Sequence, residues 1–206
     1  ALAALVAWVV GIACGVLSAV RKDKLADRLG MGFSLLGVSV PVFMTAMALQ
    51  YLLAYRLHWF PLQGTDAGLK SYLLPAIALG WNSAGSVARL TRSTLLEVLQ
   101  SDYIDTARAK GRGRAGTVLF HALRNALVPV ITVMAMQISS LLSGAVITET
   151  IFSLPGIGRL CVDAISGRDI PLLQGSVIFT TVLVIGGNLL ADCLYTVLDP
   201  RIRKEA

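Results

Sequence analysis

Two serines in an apolar stretch near residue 80 are side chains that could act in catalysis. Ser83 or Ser86 would act as a nucleophile only with a base within hydrogen-bond reach. The chain has two histidines, His58 and His121, and both lie outside the apolar stretches. The sequence therefore predicts no catalytic residue, and an intramembrane hydrolase is kept as an alternative from another class of function.

A glycine-rich basic segment at 111–117 (Gly-Arg-Gly-Arg-Ala-Gly-Thr) superficially resembles a phosphate-binding loop. That loop needs a Gly-Lys pair followed by Ser or Thr, so that the lysine reaches the phosphates. Here Gly116 is followed by Thr117, and no buried strand precedes the segment. We interpret it as a solvated basic turn, so ATP hydrolysis has to come from another polypeptide.

The composition is that of a membrane protein. The 206 residues are 55% hydrophobic and 15% charged, whereas soluble domains carry about 25% charged residues. The net charge of +6 does not indicate nucleic acid, because the basic residues lie between apolar stretches, where they set orientation. Three widely spaced cysteines, Cys14, Cys161 and Cys193, predict neither a disulfide framework nor a metal site.

Five apolar stretches approach the roughly 20 helical residues that cross a bilayer. Helices are expected, because open strands in lipid would leave backbone groups unpaired. The first stretch is interpreted as a span rather than a signal peptide, since no basic segment precedes it. The fold class is thus all-α: a single polytopic helical bundle over residues 1–206. The stretches are 1–20, 30–55, 71–88, 125–148 and 170–198.

The basic residues divide unequally between the two sides of the predicted bundle. Fourteen Lys and Arg lie in 21–29, 89–124 and the tail after Pro200, against four on the other side. By the positive-inside rule the loop 89–124 and the C-terminus are cytoplasmic. The first residue is then outside, so we expect one further span, and an external segment after it, upstream of the five present here.

Within the cytoplasmic loop, residues 94–111 form an amphipathic pattern. Leu95, Leu99 and Ile104 recur at helical spacing, Ser101 or Asp102 could cap a short helix, and Gly111 supplies a left-handed stop. Thr106, Ala107 and Ala109 are small, so that a partner could approach the backbone closely. The alternative is a helix that lies flat on the membrane surface.

This loop carries a family resemblance. Asp-Thr-Ala-Arg-Ala-Lys-Gly at 105–111, followed by His-Ala-Leu-Arg-Asn-Ala-Leu-Val-Pro at 121–129, resembles the coupling loop of the dipeptide, oligopeptide and nickel permease family of ABC transporters. The family's loop commonly begins Glu-Ala-Ala, whereas Asp105, Thr106 and Ala107 stand here; the charge and the small size are kept. Three later segments, 148–158, 168–171 and 198–203, resemble further sequence signatures of this family and occur in the same order.

The resemblance implies a permease subunit of an ATP-driven importer in the bacterial inner membrane, without a cofactor of its own. It implies a second, related but different permease chain, two ATPase subunits that bind ATP and Mg²⁺, and a periplasmic or lipid-anchored substrate-binding protein. Membrane lipid is the remaining partner, and no nucleic acid is implied. A passive channel is a further alternative. The residues that would couple to an ATPase are Asp102, Tyr103, Asp105, Thr106, Ala107, Arg108, Ala109, Lys110 and Gly111.

Polar groups within the spans bear on the substrate. The spans contain no histidine, although a path for bare metal ions would be expected to offer soft or imidazole ligands. Neutral hydroxyls and amides suit short peptides instead, with import of nickel or a chelated metal as the alternative. Hydrogen bonding between helices is the other interpretation of these groups. The candidate path residues are Asn82, Ser83, Ser86, Thr132, Gln137, Ser139 and Ser143.

Charged residues outside the spans form a predicted external rim: Glu149, Arg159, Arg168 and Asp169. This rim could receive a binding protein or gate the path, and a solvated loop is the alternative. Asp192 lies near the inner end of the last span. A charge at mid-bilayer costs about 2.5–3.5 kcal/mol, so we expect a structural ion pair there.

Overall fold

The computed structural model describes residues 1–111, 113, 116–142 and 146–198. Every regular element within these ranges is helical, which confirms the all-α prediction. Two π-helical stretches occur among the described residues, Gln50–Arg56 and Thr117–Ala122. The helices are α1 Leu2–Val20, α2 Leu25–Ser39, α3 Val42–Leu49, α4 Leu69–Val98, α5 Asp102–Ala109, α6 Leu123–Leu142, α7 Val146–Ile151, α8 Ile157–Ser166 and α9 Ile170–Leu198.

Among the described residues, three helical segments are long and apolar enough to cross a membrane: Leu2–Val20, Thr117–Ile138 and Ile170–Leu189. The pair α2 and α3 makes a fourth candidate span if the two are counted together. Helix α4 has 30 residues, which is enough to cross about 45 Å. Its polar side chains make it less apolar than the candidate spans, so it is not counted among them. The count of five spans therefore stays a prediction.

The prediction of one helix over 30–55 is wrong. Helix α2 ends at Ser39, α3 begins at Val42, and the two are bent by 106°. Pro41 causes the break, because proline has no N–H for the helical hydrogen bond and disfavours the helical conformation of the preceding residue. Val40 accordingly has an extended ψ of 126° and Pro41 a ψ of 138°.

The amphipathic pattern over 94–111 also divides into two helices. Its first part belongs to α4, which runs on to Val98, and α5 begins at Asp102 after a short turn. The fourth predicted span, 125–148, contains α6 and the start of α7, with residues 143–145 between them outside the described part. The tail 199–206, with most of the last family signature, also lies outside it.

Helix α4 is the centre of the bundle and contacts α1, α2, α3, α6 and α7. Its closest neighbour is α1, where a Cβ added to Gly15 would lie 2.6 Å from the Ala88 carbonyl oxygen. Two apolar clusters form at its two ends. The Leu74 cluster comprises Ala46, Ala54, Leu74, Ala78, Phe152 and Leu154. The Leu95 cluster comprises Ala19, Leu95, Ile104, Val118, Ala122 and Ala126.

Candidate functional site

The short charged helix α5 has the form that its sequence predicts. Asp102 and Asp105 lie in its first turn, where negative charge interacts favourably with the helix dipole. Gly111 follows with φ +81°, the left-handed conformation in which glycine is favoured. The Ser101 hydroxyl donates to the Val98 carbonyl at 2.5 Å, so it closes the end of α4 rather than serving α5.

One side of α5 is held by the protein. Ile104 is fully buried in the Leu95 cluster, among residues of α1, α4 and α6 and the π-helical turn. Beside it, the Asn125 side-chain amide of α6 donates to the Tyr103 hydroxyl at 2.8 Å. The apolar side of α5 therefore packs on the chain itself, which disfavours the alternative of a helix lying in the membrane surface.

The other side of α5 faces outward. Asp102, Asp105, Thr106, Ala109 and Lys110 are exposed, while Ala107 is half-buried. The side chain of Arg108 lies outside the described part. A pocket of about 630 Å³ opens here, lined by Tyr103, Thr106, Ala107, Lys110, Gly111 and His121. Its small side chains leave the backbone of α5 open to a partner's surface.

The glycine-rich basic segment next to this pocket is described only in part, because residues 112, 114 and 115 fall outside. Thr117 is buried, and both its N–H and its hydroxyl bond the Gly113 carbonyl, at 3.0 and 3.2 Å. The threonine of the phosphate-loop-like motif thus stabilises the helical turn that leads into α6.

Asn82, a predicted path residue, has a partner on another helix. Its side-chain amide on α4 donates to the Gly37 carbonyl of α2 at 2.9 Å. In an unbroken helix the donor to that carbonyl would be the N–H of residue 41, which is proline and has none. Asn82 therefore replaces the hydrogen bond that the break removes.

The other path residues are placed as follows. Gln137 of α6 donates to the Ser83 carbonyl of α4 at 3.2 Å, and its buried Oε1 has no partner among the described residues. Thr132 bonds back to Val128 at 3.3 Å, and Ser86 is half-buried. The side chain of Ser139 and all of Ser143 lie outside the described part, as does the side chain of Asp192.

Two of the four rim residues act as helix caps. Glu149 accepts the backbone N–H of Arg159 at 3.0 Å, inside the first turn of α8, and a Cβ on Gly156 would overlap its carboxyl group. Asp169 accepts the N–H of Leu172 at 3.0 Å, at the start of α9. The structure thus gives Glu149 a local role in the Thr148–Gly158 signature and Asp169 a local role in the turn before α9.

The remaining rim residues, Arg159 and Arg168, lie in α8 and in the turn after it. Arg159 lies 3.8 Å from Asp163 one helical turn further along, and Arg168 occupies the turn before α9 with φ +54°. The first is a one-turn contact within α8 and the second belongs to the turn before α9, so the external rim stays a prediction.

The sequence did not predict three features of the structure. Asp27 of α2 and Arg92 of α4 form a bidentate ion pair at 2.7 Å. Asp27 shares a helical face with Ser34 and Gly37, and that spacing could have shown that it points inward. The Gln50 amide donates to the carbonyls of Leu62 and Ile151, at 2.9 and 3.1 Å.

The third missed feature is a polar stripe on α9. Gln174, Thr181 and Asn188 recur every seven residues along this helix, and all three are exposed. Ile178 and Ile185 lie between them and are exposed as well. Amides on a lipid-facing surface are costly, so such groups usually face another helix or a wet cavity.

Residues 11–204 match the family described as "Binding-protein-dependent transport system inner membrane component". The dipeptide transport system permease protein DppB of Alkalihalophilus pseudofirmus is 39% identical, over 96% of this chain and 67% of that protein. The glutathione transport system permease protein GsiC of Pectobacterium atrosepticum is 43% identical, over 96% and 65%. The chain spans about two thirds of the length of these curated relatives.

The fold is also found among solved structures. A chain of the MetNI methionine ABC transporter, in an inward-facing conformation, superposes with a TM-score of 0.77. The match covers 96% of this chain and 89% of that one at 16% identity, so it bears on the fold alone. The family match over residues 11–204 shows that the chain belongs to the family of binding-protein-dependent transport system inner membrane components.

Proposed function

We propose that this chain is the permease subunit of an ATP-driven importer of short peptides, with α5 as the helix that docks on a separate ATPase. The arrangement of α5 carries the proposal. Its apolar side is fixed in the Leu95 cluster, while its small and charged residues surround an open pocket. A helix held in this way transmits a push from a partner to the bundle, because packed elements move as units.

The route of that push begins in the described contacts. Ile104 of α5 and Leu95 of α4 are buried in the same apolar cluster, and α4 continues as one helix to Leu69. ATP and Mg²⁺ would be bound by the ATPase subunits, whose closure would move α5 and, through it, α4. Residues 89–124 are accordingly proposed as the coupling loop within one permease domain.

The partner permease would cover the polar stripe of α9. Lipid is a poor partner for the amides of Gln174 and Asn188, whereas a second helix bundle or a wet path between two bundles satisfies them. We place the substrate-binding protein on the opposite side of the membrane from α5, near the loops that Gln50 joins. The charge distribution supports an inner-membrane protein whose C-terminus is cytoplasmic.

Peptides are the proposed substrate class. The named relatives are permeases for dipeptides and for glutathione, itself a small peptide. The candidate path groups on α4 and α6 are hydroxyls and amides, which hydrogen-bond a polar solute without binding it as tightly as charged groups would. Nickel or a chelated metal remains the second candidate within the family.

Uptake in a gene-deletion strain that lacks other peptide permeases tests this function. We expect loss of ATP-dependent uptake of labelled di- and tripeptides, with nickel uptake unchanged, and restoration of peptide uptake by the intact gene. Lost nickel uptake beside intact peptide uptake would select the other substrate. Copurification of an ATPase subunit with the tagged chain tests the coupling proposal independently of the substrate.

A further inference from the structure

The ion pair between α2 and α4 has a geometry that fixes the two helices relative to each other. Arg92 Nε lies 2.7 Å from Asp27 Oδ1, and Arg92 Nη2 lies 2.7 Å from Asp27 Oδ2. The N–H of Asp23 adds a third hydrogen bond to Asp27 Oδ2 at 2.9 Å. Asp27 is only 3% exposed. A two-point contact of this kind restricts orientation as well as distance.

The packing of α2 against α4 does not depend on this ion pair. Close backbone packing already joins the two helices, since a Cβ on Gly85 of α4 would overlap the Ser34 carbonyl of α2. The Phe33 and Trp81 rings stack beside it with centroids 5.0 Å apart. Burying an ion pair costs desolvation that its attraction barely recovers, and apolar side chains often hold helices equally well. The ion pair is therefore better explained as fixing the orientation of α2 on α4 than as holding the two helices together.

The pair lies between two features of the fold, the α5 helix and the break between α2 and α3. Arg92 lies one helical turn before Leu95, which belongs to the same apolar cluster as Ile104 of α5. Asp27 lies twelve residues, about 18 Å of helix, before Ser39, the last residue of α2 before the break. At that break, Asn82 of α4 holds the Gly37 carbonyl of α2. The described contacts therefore run from α5 through α4 to both ends of α2.

We propose that Asp27 and Arg92 are positioning residues that make α2 follow α4, so that a displacement of α5 reaches the break between α2 and α3. The inference rests on the proposed docking of an ATPase on α5. In this arrangement the ion pair transmits force at the N-terminal end of α2, close to α5. The Asn82 hydrogen bond keeps the C-terminal end of α2 in contact with α4. Without the pair, the Asn82 bond and the packing at Gly85 would still hold α2 on α4, but the orientation of α2 would no longer follow the movement of α4.

The test uses the permease reconstituted with its partner subunits, with the native cysteines replaced and Ser39→Cys, an exposed position at the break, as a reporter. Peptide uptake, ATP hydrolysis and the rate of thiol labelling at position 39 are measured with and without ATP. Asp27→Asn and Arg92→Gln remove the pair. Asp163→Asn is the matched control, because it breaks the exposed, one-turn contact of Asp163 with Arg159.

We expect both pair variants to retain ATP hydrolysis while peptide transported per ATP falls about tenfold, within the usual range of coupling between sites. The ATP-dependent change in labelling at position 39 should disappear with it. The double variant Asp27→Arg, Arg92→Asp should recover part of both signals, and Asp163→Asn should match the parent protein. Arg92→Lys, which keeps the charge but loses the second contact, should give an intermediate ratio.

Two results would overturn the inference: pair variants with the parental transport-to-ATP ratio and labelling change, or variants in which uptake and ATP hydrolysis fall in equal proportion. The second result would assign the pair a purely structural role. If the parent complex itself shows no ATP-dependent uptake and no labelling change, the proposed function fails. That outcome is distinct from failure of the ion-pair inference, which requires an active parent.

Discussion

The side-chain amide of Asn82 stands where a backbone N–H would stand in an unbroken helix. Pro41 leaves the Gly37 carbonyl without its helical donor, and Asn82 supplies one at 2.9 Å. Lipid offers no donor, so an unpaired carbonyl at this depth would be costly. A polar side chain within a span can thus serve the backbone of its neighbour without touching any solute.

We expect Asn82→Leu to lower the free energy of unfolding by about 1–3 kcal/mol, the cost of leaving a buried carbonyl unpaired. In a Pro41→Ala background the same change should cost less, because residue 41 regains an N–H that can bond Gly37. Denaturant unfolding of the four proteins in detergent measures this difference. An equal cost in both backgrounds would show that Asn82 does not compensate for the proline.

The Glu149 carboxylate makes a second residue-scale prediction. It accepts the Arg159 N–H in the first turn of α8, and Gly156 leaves room for it. Glu149→Ala should destabilise the chain by about 1 kcal/mol, as loss of other N-terminal caps does, and Glu149→Gln should retain most of the stability. Thermal unfolding of purified protein measures both; a larger loss for Gln than for Ala would contradict a capping role.

At the scale of elements, α5 was the easiest to predict because all of its signals are local. Helical spacing, acidic residues in the first turn and a terminal glycine lie within about ten residues. The α2–α3 break is equally local, yet a continuous apolar stretch concealed Pro41. The Asp27–Arg92 pair lies 65 residues apart in sequence, and no periodicity identifies which of many charges will meet. Long-range pairing therefore required the fold.

The pocket beside α5 predicts what a bulky residue would do there. Ala107 lines the pocket, so Ala107→Trp should fill it and prevent close docking of an ATPase. An overpacking cost of 1–3 kcal/mol corresponds to roughly a 5- to 150-fold loss of affinity. Copurification of the ATPase subunit and ATP-dependent uptake should both fall, with unchanged membrane insertion.

Ala67→Trp is the matched control for that experiment, because Ala67 is exposed in the loop before α4. This variant should retain normal ATPase binding. Normal docking and uptake with Ala107→Trp would show that the pocket is not where the partner lies.

At the scale of the whole molecule, α4 connects the other helices of the bundle, so a displacement of α4 would be passed on to them. Its 30 residues contact five other helices, and its two ends enter separate apolar clusters. A movement that begins at the α5 end therefore reaches the Leu74 cluster at the other end without an intervening loop. Since α4 contains the predicted span 71–88, this continuity would give the two sides of the membrane a direct mechanical connection.

Such a connection is useful only if α5 faces the cytoplasm, where ATP is available, and the charge distribution predicts this orientation. Fourteen basic residues lie on the α5 side and four on the other. In protein with the native cysteines replaced, single cysteines at the exposed positions Lys22, Lys110 and Lys70 can be treated with a membrane-impermeant maleimide. In spheroplasts only position 70 should label, and permeabilisation should add positions 22 and 110. Labelling of position 110 from outside would place α5 beyond the reach of any cytoplasmic ATPase and would remove the basis of the transport mechanism.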